Sequence, residues 1–134
     1  MRKPLITLAM LSLLPATFGV HPSRGGDDPA KEKQASVWMK QKLVASQYIL
    51  GGLTKADFDA IRLNAESMVF VGYLEKWVRA DTPGYQNMMR DFEYANKLLI
   101  HASREKNLDS ATLGYVQLTL SCVNCHKVVR DVTK

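Results

Sequence analysis

Cysteine is nearly missing from this chain of 134 residues: Cys122 and Cys125 are the only two, and both stand in one short stretch near the C-terminal end. A structural zinc site takes four ligands. His126 and the distant His101 could bring the count to four, but no second closely spaced ligand pair exists. Long hydrophobic runs are also absent. The longest, Leu5 to Leu14, spans about ten residues, against the roughly 20 that a membrane-crossing helix needs. No Ser/His/Asp group, phosphate-binding loop or pair of acid–base carboxylates stands out, so no enzyme active site is visible. The basic excess is small, a formal net charge of +5. Nucleic-acid binders show a stronger basic focus, so no nucleic-acid partner is expected.

Glycine and proline, 8 and 5 in number, gather at a few points rather than being scattered. Near the start, Met1-Arg2-Lys3 is a short basic region, followed by the apolar run and by Pro15-Ala16-Thr17-Phe18-Gly19. This order reads as a secretory signal peptide over residues 1–19, with an uncleaved N-terminal anchor as the alternative, implying export to a periplasmic location. Its removal takes away Arg2 and Lys3 and no acid, lowering the formal charge by two to +3. Residues 20–33 include His21-Pro22-Ser23-Arg24-Gly25-Gly26-Asp27-Asp28-Pro29, which offers almost nothing to bury and reads as a flexible leader with His21 inert.

Residues 34–134 form one domain by size, and their apolar spacing is helical. A first helix is expected from Ala35 to Leu50, stopped by Gly51-Gly52. Met39, Leu43 and Leu50 share one face with Ser46, and Val37, Val44 and Tyr48 lie opposite. A second begins at Thr54 as cap, with Asp57 three residues on, and carries a seam of Phe58, Ile61, Ala65 and Met68. Thr82 as cap and Pro83 as first residue open a third, with Met88, Phe92, Ala95, Leu99 and Ala102 as its seam and an end near Lys106-Asn107. Asp109 caps a fourth that reaches toward Arg130. Its apolar residues fall in two stripes, Leu113-Val116-Leu120-Val123 and Tyr115-Leu118-Cys122-Cys125-Val129, so both sides call for a cover. Four helices with short connections imply an all-α, antiparallel up-down four-helix bundle.

Cys122-Val123-Asn124-Cys125-His126 carries the chemistry. Two cysteines about one helical turn apart can each join a vinyl group of haem, and the adjoining histidine is delivered to the iron. The spacing thus assigns Cys122 and Cys125 as thioether anchors of one covalent haem c and His126 as its axial ligand. Other readings of C-x-x-C are zinc binding, a dithiol redox pair and a structural disulfide between the two. The dithiol pair belongs at a helix start after a strand, whereas this motif lies late in a helical stretch.

A signal peptide, four helices and a haem motif near the C-terminus resemble the class II c-type cytochromes, the cytochrome c′ family with its low-spin, methionine-ligated relatives. The sharpest local match is Cys122-x-x-Cys125-His126-x-x-x-Arg130. The resemblance implies that Arg130 stands beside the haem on the histidine side; the alternative is a solvated arginine near a helix C-terminus. It also implies that the first helix supplies the other axial position. Met39 is the residue that fits it, with Leu43 one turn on as the residue over the iron if Met39 is core filler. Where the family often has a basic residue touching a haem propionate, Ala35 stands here, and Lys33, Lys40 and Lys42 are substitutes. A ligating Met39 implies a periplasmic carrier of single electrons between redox partner proteins. An open position implies a five-coordinate haem that binds a small gas such as nitric oxide. The family commonly forms homodimers through its first two helices. His101 is expected exposed, Met88 and Met89 as packing residues, and Trp38 and Trp77 at the pocket edge or over the bundle ends.

Overall fold

Four α-helices account for nearly all of the structure, a computed structural model that describes residues 29–78 and 84–132. They are α1 (Pro29–Lys55), α2 (Phe58–Val78), α3 (Tyr85–Arg104) and α4 (Leu108–Val132). Residues 1–19, expected as a signal peptide, and His21 lie outside the described residues. So do Thr82 and Pro83. Residues 29–33 of the stretch expected as a leader are helical, because α1 already begins at Pro29. Proline is tolerated there, since a first-turn N–H would have no partner within the helix.

Consecutive helices pack side by side and antiparallel. Lys42 on α1 meets Glu75 on α2, whereas Gly52 near the end of α1 lies against Ile61 near the start of α2. On the next pair Lys76 bonds Glu93 at 2.6 Å, while Arg104 reaches back to Glu66. Leu98 and Leu99 of α3 lie against Gly114 of α4. The core runs along this seam through Ile49, Ile61, Met68, Leu99 and Leu118, all essentially closed to solvent. Full burial of each such side chain stabilises by roughly 1.5–3 kcal/mol.

The expected seam of α2 is the buried one, with Phe58 half-buried at its edge. On α3, Phe92, Ala95, Leu99 and Ala102 are buried as expected, but Met89 is the buried methionine and Met88 is half-buried. The inner side of α1 differs from the expectation. Ala35, Trp38, Ala45 and Ile49 are buried there, and Leu50 is exposed. On α4 only the Leu118 stripe packs inward; the Leu113 stripe faces outward, Leu113 itself being 71% exposed. The second cover is therefore not supplied within this chain's described residues.

Two junctions share one design. α1 does not stop at Gly51-Gly52 but continues to Lys55. Ala56 then turns left-handed (φ 53°), with Asp57 N–H donating to Gly52 O (2.9 Å) and Ala56 N–H to Leu53 O (3.3 Å). These are the two bonds of a Schellman ending. At the α3–α4 junction Lys106 (φ 49°) takes the same place, with Asn107 N–H to Ala102 O (2.9 Å) and Lys106 N–H to Ser103 O (3.2 Å). In each case the next residue starts the following helix. Asp57 Oδ1 accepts from Ala60 N–H (3.0 Å), and Asn107 Oδ1 accepts from Ser110 N–H (2.9 Å). Asp57 and Asn107, rather than Thr54 and Asp109, are thus the caps. Thr54 belongs to the last turn of α1, where its hydroxyl donates to Gly51 O (2.9 Å). Asp109 lies in the first turn of α4. α3 starts at Tyr85, with Gly84 as N-cap in the left-handed region (φ 75°).

Gly52 has a packing reason instead. A Cβ there would stand 2.9 Å from Ile61 Cγ1 and 3.1 Å from Asp57 O, so its bare backbone admits α2. Replacement of Asn107 by alanine removes the cap of the helix that bears both cysteines. A loss of about 1 kcal/mol in chemical denaturation is expected; an unchanged midpoint would show that water caps the helix equally well.

Candidate functional site

One apolar cavity of about 440 Å³ opens between α1, α3 and α4. This is a size at which proteins hold small organic molecules and cofactors. From α1, Met39, Lys42, Leu43 and Ser46 border it; from α3, Met88, Met89 and Phe92; from α4, Ser121, Cys122, Cys125 and His126. Of the residues that the sequence assigned to haem, Met39, Cys122, Cys125 and His126 all border this one cavity. Arg130 lies within α4, and its side chain is outside the described residues.

The register that assembles them follows from helix geometry. α1 and α4 touch sparsely, and Ser46 Oγ meets Tyr115 Oη across the gap at 3.2 Å. Because the helices run antiparallel, two turns back along α1 from Ser46 and two turns forward along α4 from Tyr115 cover the same rise, about 10 Å. The positions reached are Met39 and Cys122. Met39 is therefore level with the cysteine motif, although 83 residues separate it from Cys122 in the chain. α3 shapes the third side. Gly72 on α2 makes room for it, since a Cβ there would come within 2.9 Å of Met89 Cε and 3.1 Å of Phe92 Cε1.

Burial raises the Cys122 thiol above its usual pKa, against smaller opposing effects of Ser121 and the Lys42 ammonium. The motif also sits in the later part of α4, where the helix dipole disfavours an anion. A thiol–disulfide catalyst needs the opposite, an exposed thiolate of lowered pKa, so this geometry speaks against the dithiol reading. For zinc the donors are short: among the described residues no three of His, Cys, Asp and Glu gather to hold a metal ion. A haem asks for something else, namely two thiols on one helix, an imidazole beside them and an apolar enclosure. The residues present fit that group, and Met39 adds a thioether sulfur from the facing helix.

Several bordering residues carry little signal in the sequence. Met39, Leu43 and Ser46 could be read as one helical stripe. Lys40 and Lys42, two of the lysines that the resemblance offers for a propionate, do border the cavity, but nothing in the sequence marks Lys42 as buried, because lysine usually marks a solvated face. Met88, Met89 and Phe92 look like ordinary bundle seam. Neither tryptophan borders the cavity: Trp38 is buried, and Trp77 is 76% exposed. His101 is exposed, as expected. No family model, curated protein or solved structure matches the chain.

Proposed function

We propose that this chain is an exported c-type cytochrome of the four-helix, cytochrome c′-like kind that passes single electrons between redox partner proteins. The observation that carries this reading is the convergence of Met39 from α1 and of Cys122, Cys125 and His126 from α4 on one apolar cavity. The haem supplies a one-electron Fe(III)/Fe(II) couple when bound. Cys122 and Cys125 hold it by two thioether bonds, which fixes its place on α4. His126 gives the imidazole ligand and Met39 the thioether ligand, a pairing that raises the reduction potential. Met88, Met89 and Phe92 exclude water from one side, so a change of charge at the centre meets little rearrangement. Arg130 is placed by the same reading on the histidine side of the haem.

A second reading draws on Leu43, which borders the same cavity one turn from Met39. With Leu43 over the iron the sixth position stays open, and the protein binds a small gas such as nitric oxide. Export rests on the signal-peptide pattern of residues 1–19. Among the described residues no helix is long and apolar enough to cross a membrane. Val44 and Tyr48 on α1, with Phe70 and Trp77 on α2, are exposed and apolar; the homodimer reading puts a second copy there.

The test is maturation. Made with a bacterial haem-attachment system, the full chain is expected to retain haem through a denaturing gel and to give the narrow reduced bands of a c-type cytochrome. Failure to attach haem where a control cytochrome matures sinks the proposal.

A further inference from the structure

The inner wall of the cavity carries a charge that haem attachment does not require. Lys42 extends from α1 into the lining with its side chain only 11% exposed, and Glu75 on α2 bonds its ammonium with a side chain 3% exposed. Glu75 does not border the cavity itself. The Phe92 ring, which does, lies 4.5 Å from Lys42 Nζ. The ion pair is thus an oriented dipole with its positive end at the cavity and its negative end behind. Replacing such a pair by apolar residues is often neutral or stabilising, so stability alone is a weak reason for it. Its charge reaches across to α4, where it opposes the effect of burial on Cys122. Lys40 also borders the cavity, but it is exposed and therefore screened by water.

We propose that Lys42, held in place by Glu75, sets the reduction potential of the site by keeping a fixed positive charge on the inner wall of the cavity. The proposal rests on the haem reading. Uptake of one electron from a donor protein lowers the positive charge of the bound centre by one. A nearby fixed cation in a poorly solvated wall favours that step. Glu75 attenuates the effect, being of opposite sign and farther away, and keeps the lysine from swinging out to solvent.

Redox titration of the haem-loaded full chain tests this. Lys42→Met is expected to lower the midpoint potential, and Glu75→Gln, whose amide oxygen still accepts from the ammonium but carries no opposing charge, to raise it. The double variant is expected to lie between the two. Lys42→Met leaves a buried carboxylate unpaired; if that variant fails to fold, Glu75→Gln decides alone. A second readout needs no haem. In the apo chain carrying Cys125→Ser, iodoacetamide is expected to alkylate Cys122 severalfold more slowly after Lys42→Met and faster after Glu75→Gln. Unchanged potentials, or shifts of the same sign in both single variants, overturn the proposal while leaving the haem assignment intact. Alkylation rates that do not respond to either change overturn the reach of the charge. If no haem attaches to the parent, the haem reading fails and the proposal with it.

Discussion

Replacing Cys122 and Cys125 together by serine is expected to abolish covalent haem completely. Haem stain vanishes from the denaturing gel, and any pigment extracts into acidified organic solvent. Each single serine variant retains one thioether bond, so the stain persists. Its reduced band moves to longer wavelength, because one vinyl group stays conjugated with the ring. The contrast between single and double variants separates the haem reading from its competitors. For a dithiol pair, either single change is as damaging as both together. The change is mild for the fold. Serine is smaller than cysteine by little, both positions are half-buried, and neighbouring Ser121 shows that a hydroxyl here can donate to its own helix, to Leu118 O at 2.7 Å. The helical circular dichroism of the apo double variant should therefore match the parent. Retention of covalent haem in the double serine variant, or its loss in both single ones, would remove Cys122 and Cys125 from the proposed roles.

How much of this could be read in the sequence depended on which physical rule dominated locally. The seams of α2 and α3 were legible because each has one buried stripe at 3–4 spacing, and tertiary packing followed that stripe. α1 and α4 were less so. Both carry apolar residues all round, such as Val44 and Tyr48 on α1 and Leu120 and Val123 on α4 that remain exposed, so periodicity did not single out the inner side. Glycine read as a signal of backbone freedom puts the end of α1 too early. At Gly52 its real service is the close approach of Ile61, while Ala56 and Lys106 occupy the left-handed turns without being glycine. In the site, the cysteine motif and its histidine were legible as local spacing. Met39 requires the antiparallel register of α1 and α4, a tertiary feature that the Ser46–Tyr115 contact marks. The Lys42–Glu75 pair was invisible, because nothing local to either residue marks it as buried.

The Met39→Leu variant of the haem-loaded protein bears on the remaining choice and has the second large effect. Leucine nearly conserves the volume of methionine, and such swaps usually cost under about 1.5 kcal/mol. A change in the iron's spectrum therefore reports the loss of sulfur and not a collapsed bundle. The parent is expected to be low-spin in both oxidation states, to show a sulfur-to-iron charge-transfer band when oxidised, and to leave its reduced spectrum unaltered by carbon monoxide. In the variant the charge-transfer band disappears, the reduced form turns high-spin and carbon monoxide binds. The potential falls as well, since a thioether ligand favours the reduced iron. A parent that is already high-spin and takes up carbon monoxide would assign the position to Leu43 and favour the gas-binding reading. The two residues are separable because both border the cavity from adjacent turns of α1, so Leu43→Ala then enlarges the open side and speeds ligand entry, whereas beside a ligating Met39 the same change leaves the spectrum as it was. Under the proposed haem reading, the choice between electron carrier and gas binder therefore comes down to which of two neighbouring turns of one helix faces the iron.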